Sequence, residues 1–139
     1  QPYPHVKITL TQLLRNGLKL AVLSDAPRRE AWLRLYQLGL HHTFDVVVTF
    51  EDTGLRKPAK EPFERVLSLL DVAPKEAVMV GDWPSRDVTG AKAVGLWTVW
   101  AQYGDTFGTH STDADYEIAT IRDIGRVIES INARMGGSE

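Results

Sequence analysis

Apolar and polar positions along this chain follow two alternating patterns. Ile8, Leu10, Leu13 and Leu14 recur at helical spacing between Val6 and Arg15, and Asn16-Gly17 form a C-terminal stop. Residues 18–23 are a short apolar run that reads as a buried strand. Residues 27–38 are expected to form a helix with Trp32, Leu35, Tyr36 and Leu38 on one face, stopped by Gly39, with His41-His42 capping its end. Residues 44–50, centred on Val46-Val47-Val48, read as a second strand. Residues 61–70 read as a helix with Phe63, Val66, Leu67, Leu69 and Leu70 inward. A third strand follows at 77–80, a helix at 85–94 stopped by Gly95, and a fourth strand at 96–100. Residues 116–118 are a candidate fifth strand and 121–131 a closing helix. Residues 101–115 carry no pattern and read as a rim loop or a solvated connection; residues 132–139 are expected to be a flexible tail.

Strands separated by helices imply right-handed βαβ units. The expected fold is therefore α/β, a three-layer Rossmann-like parallel sheet in a single domain spanning residues 1–139. Apolar runs such as 18–23 suit strands covered on both faces. Ligands in such sheets bind beyond the carboxyl ends of the strands. That directs attention to Ser24-Asp25, Thr49, Gly81-Asp82 and Ala101-Gln102.

Composition narrows the function only by exclusion. The 139 residues are 43% hydrophobic and 24% charged, ordinary for a globular domain. A net charge of −2 gives no reason to expect nucleic acid or an anionic membrane as partner. The absence of cysteine excludes disulfides, zinc-thiolate sites and thiol nucleophiles. With no membrane-length apolar run and no signal-peptide pattern, a cytoplasmic location is the expectation. Scarce asparagine (Asn16, Asn132) and an excess of Arg over Lys lean toward a heat-adapted source.

Three groups could carry chemistry. Asp82 and Asp87 lie five residues apart where a buried strand turns into a helix. Such carboxylates suit Mg²⁺, a hard cation held by a few acidic groups, waters and phosphate, or else serve as a turn residue and a first-turn helix acid. Ser24, after the first strand and ahead of Pro27, suits a phosphate oxygen at a helix N-terminus or a plain helix cap. Lys57, in Gly54-Leu55-Arg56-Lys57-Pro58, could place a point charge on a phosphoryl group; Arg56 competes for that role, and most loop lysines have none. The four histidines have no assigned role, and Trp97 and Trp100 read as core packing.

In this order the pieces resemble the haloacid dehalogenase-like hydrolases. Leu20-Ala21-Val22-Leu23-Ser24-Asp25 is similar to the second motif of that superfamily and Arg56-Lys57-Pro58-Ala59-Lys60-Glu61-Pro62-Phe63 to the third. Val78-Met79-Val80-Gly81-Asp82 through Asp87, Gly90-Ala91 and Gly95-Leu96-Trp97-Thr98-Val99-Trp100 resemble the fourth motif and the strand after it. Ala114-Asp115-Tyr116-Glu117-Ile118 looks like the closing segment. The resemblance implies that Ser24 binds the phosphoryl group and that Lys57 neutralises charge on nucleophile and phosphate. It implies that Asp82 ligates Mg²⁺, directly or through water, and that Asp87 supports that site. Asp25 stands where the family often has Asn and is a substrate-side candidate. The implied activity is Mg²⁺-dependent hydrolysis of a small phosphorylated metabolite.

The family's first motif, a strand ending in Asp-x-Asp that supplies the nucleophile, is not found. Residues 1–17 contain no aspartate, and the family's cap insert is expected to be absent as well. Asp113-Ala114-Asp115 follows a polar loop, and Asp25 has Pro27 where the second acid would fall, so neither replaces it. The missing strand would lie between those ending at Ser24 and Asp82, leaving a slot of unpaired backbone. An upstream fragment, a second copy of the chain, or direct pairing of the two strands could close it. A chain starting at Gln1 is expected to be a truncated or cleaved product. Three functions follow: the core of a phosphohydrolase inactive without its nucleophile segment, a non-catalytic binding module of the same fold, and a metal-independent dehalogenase, which the paired acids disfavour.

Overall fold

The computed structural model describes residues 5–136. Helix α1 (Val6–Arg15) ends where Gly17 takes a positive φ of 83° and its N–H donates to the Leu14 carbonyl. Strand β1 (Ala21–Leu23), helix α2 (Arg28–Gln37) and strand β2 (Val46–Val48) follow. A single-turn helix α3 (Phe50–Thr53) leads to α4 (Lys60–Leu70) and β3 (Val78–Gly81). A π-helical turn (Pro84–Val88) runs into α5 (Thr89–Val94), then β4 (Trp97–Ala101), β5 (Tyr116–Ile118) and α6 (Ile124–Gly136).

All strand pairs are parallel. β1 pairs with β2, Ala21 opposite Val46 and Leu23 opposite Val48. β3 pairs with β4, Val78 opposite Trp97 and Gly81 opposite Trp100; β4 pairs with β5, Val99 opposite Tyr116. The expected α/β layering is present, but the strands form two sheets, β1-β2 and β3-β4-β5, with no ladder joining β1 to β3 among the described residues. The seam lies where the sequence predicts the unfilled strand position. Burial marks it too. Every residue of β1 and β3 is only half-buried, whereas β4 is buried from Thr98 to Ala101. In a continuous parallel sheet the inner strands are the dry ones. Here they face a gap.

Leu13 of α1 and Ile124, Val127 and Ile131 of α6 pack against Val99 and Ile118, with Val78 and Val80 at the margin. Alternation along β3 turns Gly81 to the opposite face, that of the π-turn and α5. α4 packs against both β1 and β2 and also against α5, and so spans the seam. Phe63 and Leu67 are its buried anchors.

Several boundaries differ from the sequence expectation. The buried stripe of α2 is Ala31 and Leu35, while Trp32 and Tyr36, each one position further round the helix, are 40% and 67% exposed. Leu69 of α4 is likewise exposed. The end of α2 is closed by the backbone N–H groups of Gly39 and Leu40, not by His41-His42, whose rings lie 4.2 Å apart at a tilt, with Tyr36 against His41. The expected tail is helical through residue 136, because Met135 continues the apolar stripe and Arg134 lies over the Trp97 ring; only 137–139 fall outside the described residues. Phe50 starts α3 rather than ending β2, since Asp52 accepts from the Thr49 N–H at 2.7 Å and caps a new turn.

Candidate phosphate and metal site at the seam

β1, β3 and the loop before α4 deliver their polar residues to one place. Leu23, Lys57, Met79, Gly81, Asp82 and Asp87 line a cavity of about 350 Å³ at the seam. The structure therefore brings together three of the five residues that the sequence singles out. Ser24 and Asp25 adjoin it, following Leu23, but do not line it. A second cavity of about 400 Å³, beside His5, Thr9, Gln12 and Arg122, contains none of the five.

Lys57 is the centre of the site. Its ammonium lies 2.7 Å from Asp87 Oδ1 and donates to the Leu23 carbonyl at 3.2 Å. One side chain thus bridges the end of β1 and the turn after β3. The pair is dry, with side-chain exposures of 11% for Lys57 and 6% for Asp87. Asp87 Oδ2 accepts from the Trp83 N–H at 3.0 Å, while Oδ1 is buried without an aligned hydrogen-bond donor. The Lys57 ammonium is the charge that faces Oδ1.

The glycine ahead of Asp82 has a packing cause. A Cβ on Gly81 would fall 2.3 Å from Asp87 Oδ2, inside any allowed contact, so only glycine lets the π-turn fold back on the strand. Gly104, in the turn after β4, stands in the same relation to Asp82: its Cβ would lie 2.4 Å from Asp82 Oδ2. Asp82 is solvent-accessible at its edge, yet enough protein surrounds the carboxyl for loss of water, with the charge of Asp87 next, to hold its pKa above the usual carboxylate range.

Ser24 donates its N–H to the Val48 carbonyl at 2.9 Å, and its Oγ accepts from the Ala26 N–H at 3.1 Å. That is the local turn role weighed for it, and the hydroxyl still has its own hydrogen to give. Both oxygens of Asp25 are engaged: Oδ1 accepts from the Lys57 N–H at 2.9 Å and Oδ2 from Arg86 Nη1 at 3.1 Å. Arg56, the competitor to Lys57, instead lies over the Phe50 ring at 4.4 Å. Sequence reasoning missed Arg86, Gly104 and Trp83, whose ring carries the Arg86 guanidinium at 3.8 Å. For Gly104 a glycine in the unpatterned loop was the available signal; for Arg86 the sequence offers none, as its partner lies 61 positions away.

Residues 1–101 match the family model described as haloacid dehalogenase-like hydrolase. The glyceraldehyde 3-phosphate phosphatase of Methanocaldococcus jannaschii is 34% identical over 94% of this chain and 58% of its own length. The phosphoserine phosphatase of Thermus thermophilus is 33% identical over 88% of this chain and 49% of its own length. Among solved structures, a HAD phosphatase from Thermococcus onnurineus superposes with a TM-score of 0.83 at 38% identity, covering 91% of this chain and 57% of that one. The chain thus spans about half the length of the curated relatives it matches. On the match over residues 1–101 and the shared fold, the chain belongs to the haloacid dehalogenase-like hydrolases.

Proposed function

We propose that this chain is the phosphate- and metal-binding part of a phosphohydrolase acting on small phosphorylated metabolites. The observation that carries the reading is the convergence of Lys57, Asp82 and Asp87 on one cavity at the ends of β1 and β3. Phosphoryl transfer needs little from a protein beyond positioning and charge stabilisation. A desolvated ammonium held between a carboxylate and a main-chain carbonyl is positioned for that work. Ser24, at the end of β1, is the proposed hydroxyl donor to a phosphoryl oxygen.

The donor set fits Mg²⁺, which typically takes one or two carboxylates and completes its shell with water and substrate phosphate. No group of three or more His, Cys, Asp or Glu side chains gathers among the described residues, so a site demanding an all-protein cage is not offered. The raised pKa of Asp82, caused first by loss of water and then by the charge of Asp87, is the feature a cation would relieve. Asp82 would hold the ion, with Asp87 supporting it, and the bound ion would neutralise developing charge on the phosphoryl group.

The nucleophile is proposed to come from a strand ending in Asp-x-Asp seated between β1 and β3. The test is turnover on phosphorylated metabolites with Mg²⁺, glyceraldehyde 3-phosphate and phosphoserine included because relatives carry those names. The chain alone is expected to show none, and the chain joined to such a strand segment is expected to release phosphate. A folded, joined protein inert on a broad metabolite panel would overturn this reading in favour of a binding module.

A further inference from the structure

Asp25 and Arg86 are the charged pair at the seam to which the proposed function gives no role. They come from opposite sides of it. Asp25 follows β1, and Arg86 sits in the π-turn after β3. Their contact at 3.1 Å crosses a boundary that no strand ladder crosses among the described residues. Asp25 does more than pair with arginine, since its other oxygen accepts the backbone N–H of Lys57 at 2.9 Å. The contacts close into a ring. Arg86 holds Asp25, Asp25 holds the main chain of Lys57, the ammonium of Lys57 holds Asp87, and Asp87 is joined covalently to Arg86. Charges alternate around it, and Trp83, stacked at 3.8 Å, limits where the guanidinium can move.

We infer that Arg86 is a positioning residue, which fixes the Lys57 ammonium through Asp25 and neutralises a carboxylate that would otherwise repel a phosphate beside Ser24. The inference rests on the phosphate-site reading for its functional consequence, but its structural part stands independently. An anionic side chain next to a phosphate site is unfavourable unless a cation offsets its charge and its oxygens are bonded elsewhere. Here they are, one of them by Arg86. Arginine suits the place better than lysine: its planar fork can meet a carboxylate edge-on while its face lies on an indole.

The experiment measures amide hydrogen exchange at Lys57 in the wild-type chain and in Arg86→Gln, Arg86→Lys and Asp25→Asn/Arg86→Gln, with inorganic phosphate affinity in Mg²⁺ measured alongside. Arg86 does not touch the Lys57 amide; the side chain that links the two is Asp25, which accepts from both. Loss of the charged partner is expected to speed exchange at Lys57 roughly tenfold in Arg86→Gln, with partial recovery in Arg86→Lys. Phosphate binding is expected to weaken in Arg86→Gln and to recover in the double variant, where the unpaired charge is gone. Unchanged Lys57 exchange in a folded Arg86→Gln would overturn the inference, as would a double variant no better than the single one at holding phosphate. Should wild type bind no phosphate at all, the proposed function fails, and the exchange data alone decide whether Arg86 positions Lys57.

Discussion

Replacing Lys57 by methionine should destabilise the fold far more than removing the whole ion pair. The side chains of Lys57 and Asp87 are 11% and 6% exposed, which places them among buried pairs rather than surface ones. Lys57→Met retains most of the packing volume but leaves the Asp87 carboxylate dry, with Oδ1 facing no donor. Breaking one side of a buried pair costs about 3–5 kcal/mol, whereas exchanging both sides for neutral groups is often near neutral. Lys57→Met is therefore expected to lower the urea-unfolding free energy by about 3 kcal/mol and the melting temperature by about 10 °C. Lys57→Met/Asp87→Asn should recover most of that loss, to within about 1 kcal/mol of wild type, because the amide can still accept from the Trp83 N–H without carrying charge. The assay is equilibrium unfolding of wild type, both single variants and the double, read as a coupling energy. A Lys57→Met loss below about 1 kcal/mol would refute the reasoning, since the pair would then behave as a solvated one. A double variant as unstable as the single would refute it equally.

Other outcomes follow from packing and charge. Gly90→Ala should destabilise despite better helix propensity, because the added Cβ would sit 2.4 Å from Phe63 Cε2; the expected net cost is about 1–2 kcal/mol by thermal melting, and a stabilised variant would contradict the packing. Asp82 has a raised pKa, so the folded state favours its proton, and the ionised form costs stability above the ordinary carboxylate range. Asp82→Asn should therefore raise the urea midpoint at pH 7–8, and that gain should vanish as pH falls below the unfolded value of about 3.9; a gain that grows in acid would reverse the assignment. Asp52 is the opposite case, held below the usual range first by the Thr49 N–H. Its contribution is present above the unfolded pKa and lost as pH falls through the folded one, so Asp52→Ala should cost about 1 kcal/mol at pH 7 and progressively less in acid.

The long βαβ rhythm was legible because strands of apolar residues and helices of three turns each leave a periodic trace. The positions of Lys57, Asp82 and Asp87 were legible because strand ends and motif order constrain them. Their partnership was not: nothing in the sequence joins Lys57 to Asp87, an ion pair set by the fold-back that Gly81 permits. The four residues of α3 are too few to show a period, and the cap of Thr49 by Asp52 creates that helix. The outward turn of Trp32 was illegible for a different reason. Hydrophobic pattern counts apolar residues without their sizes, and the small Ala31 faces inward where a large ring was expected. Asp25 and Arg86 meet only because the chain segments after β1 and β3 come together across the seam.

On the proposed function, residues of β1, β3 and the Lys57 loop form one site for magnesium and phosphate together. Calorimetric titration of inorganic phosphate, with and without Mg²⁺, into wild type, Lys57→Met/Asp87→Asn and Asp82→Asn tests it most directly. Wild type is expected to bind phosphate in a Mg²⁺-dependent manner, and both variants are expected to lose that binding while they remain folded. Phosphate affinity that is the same with and without Mg²⁺, or that survives both variants, would contradict it.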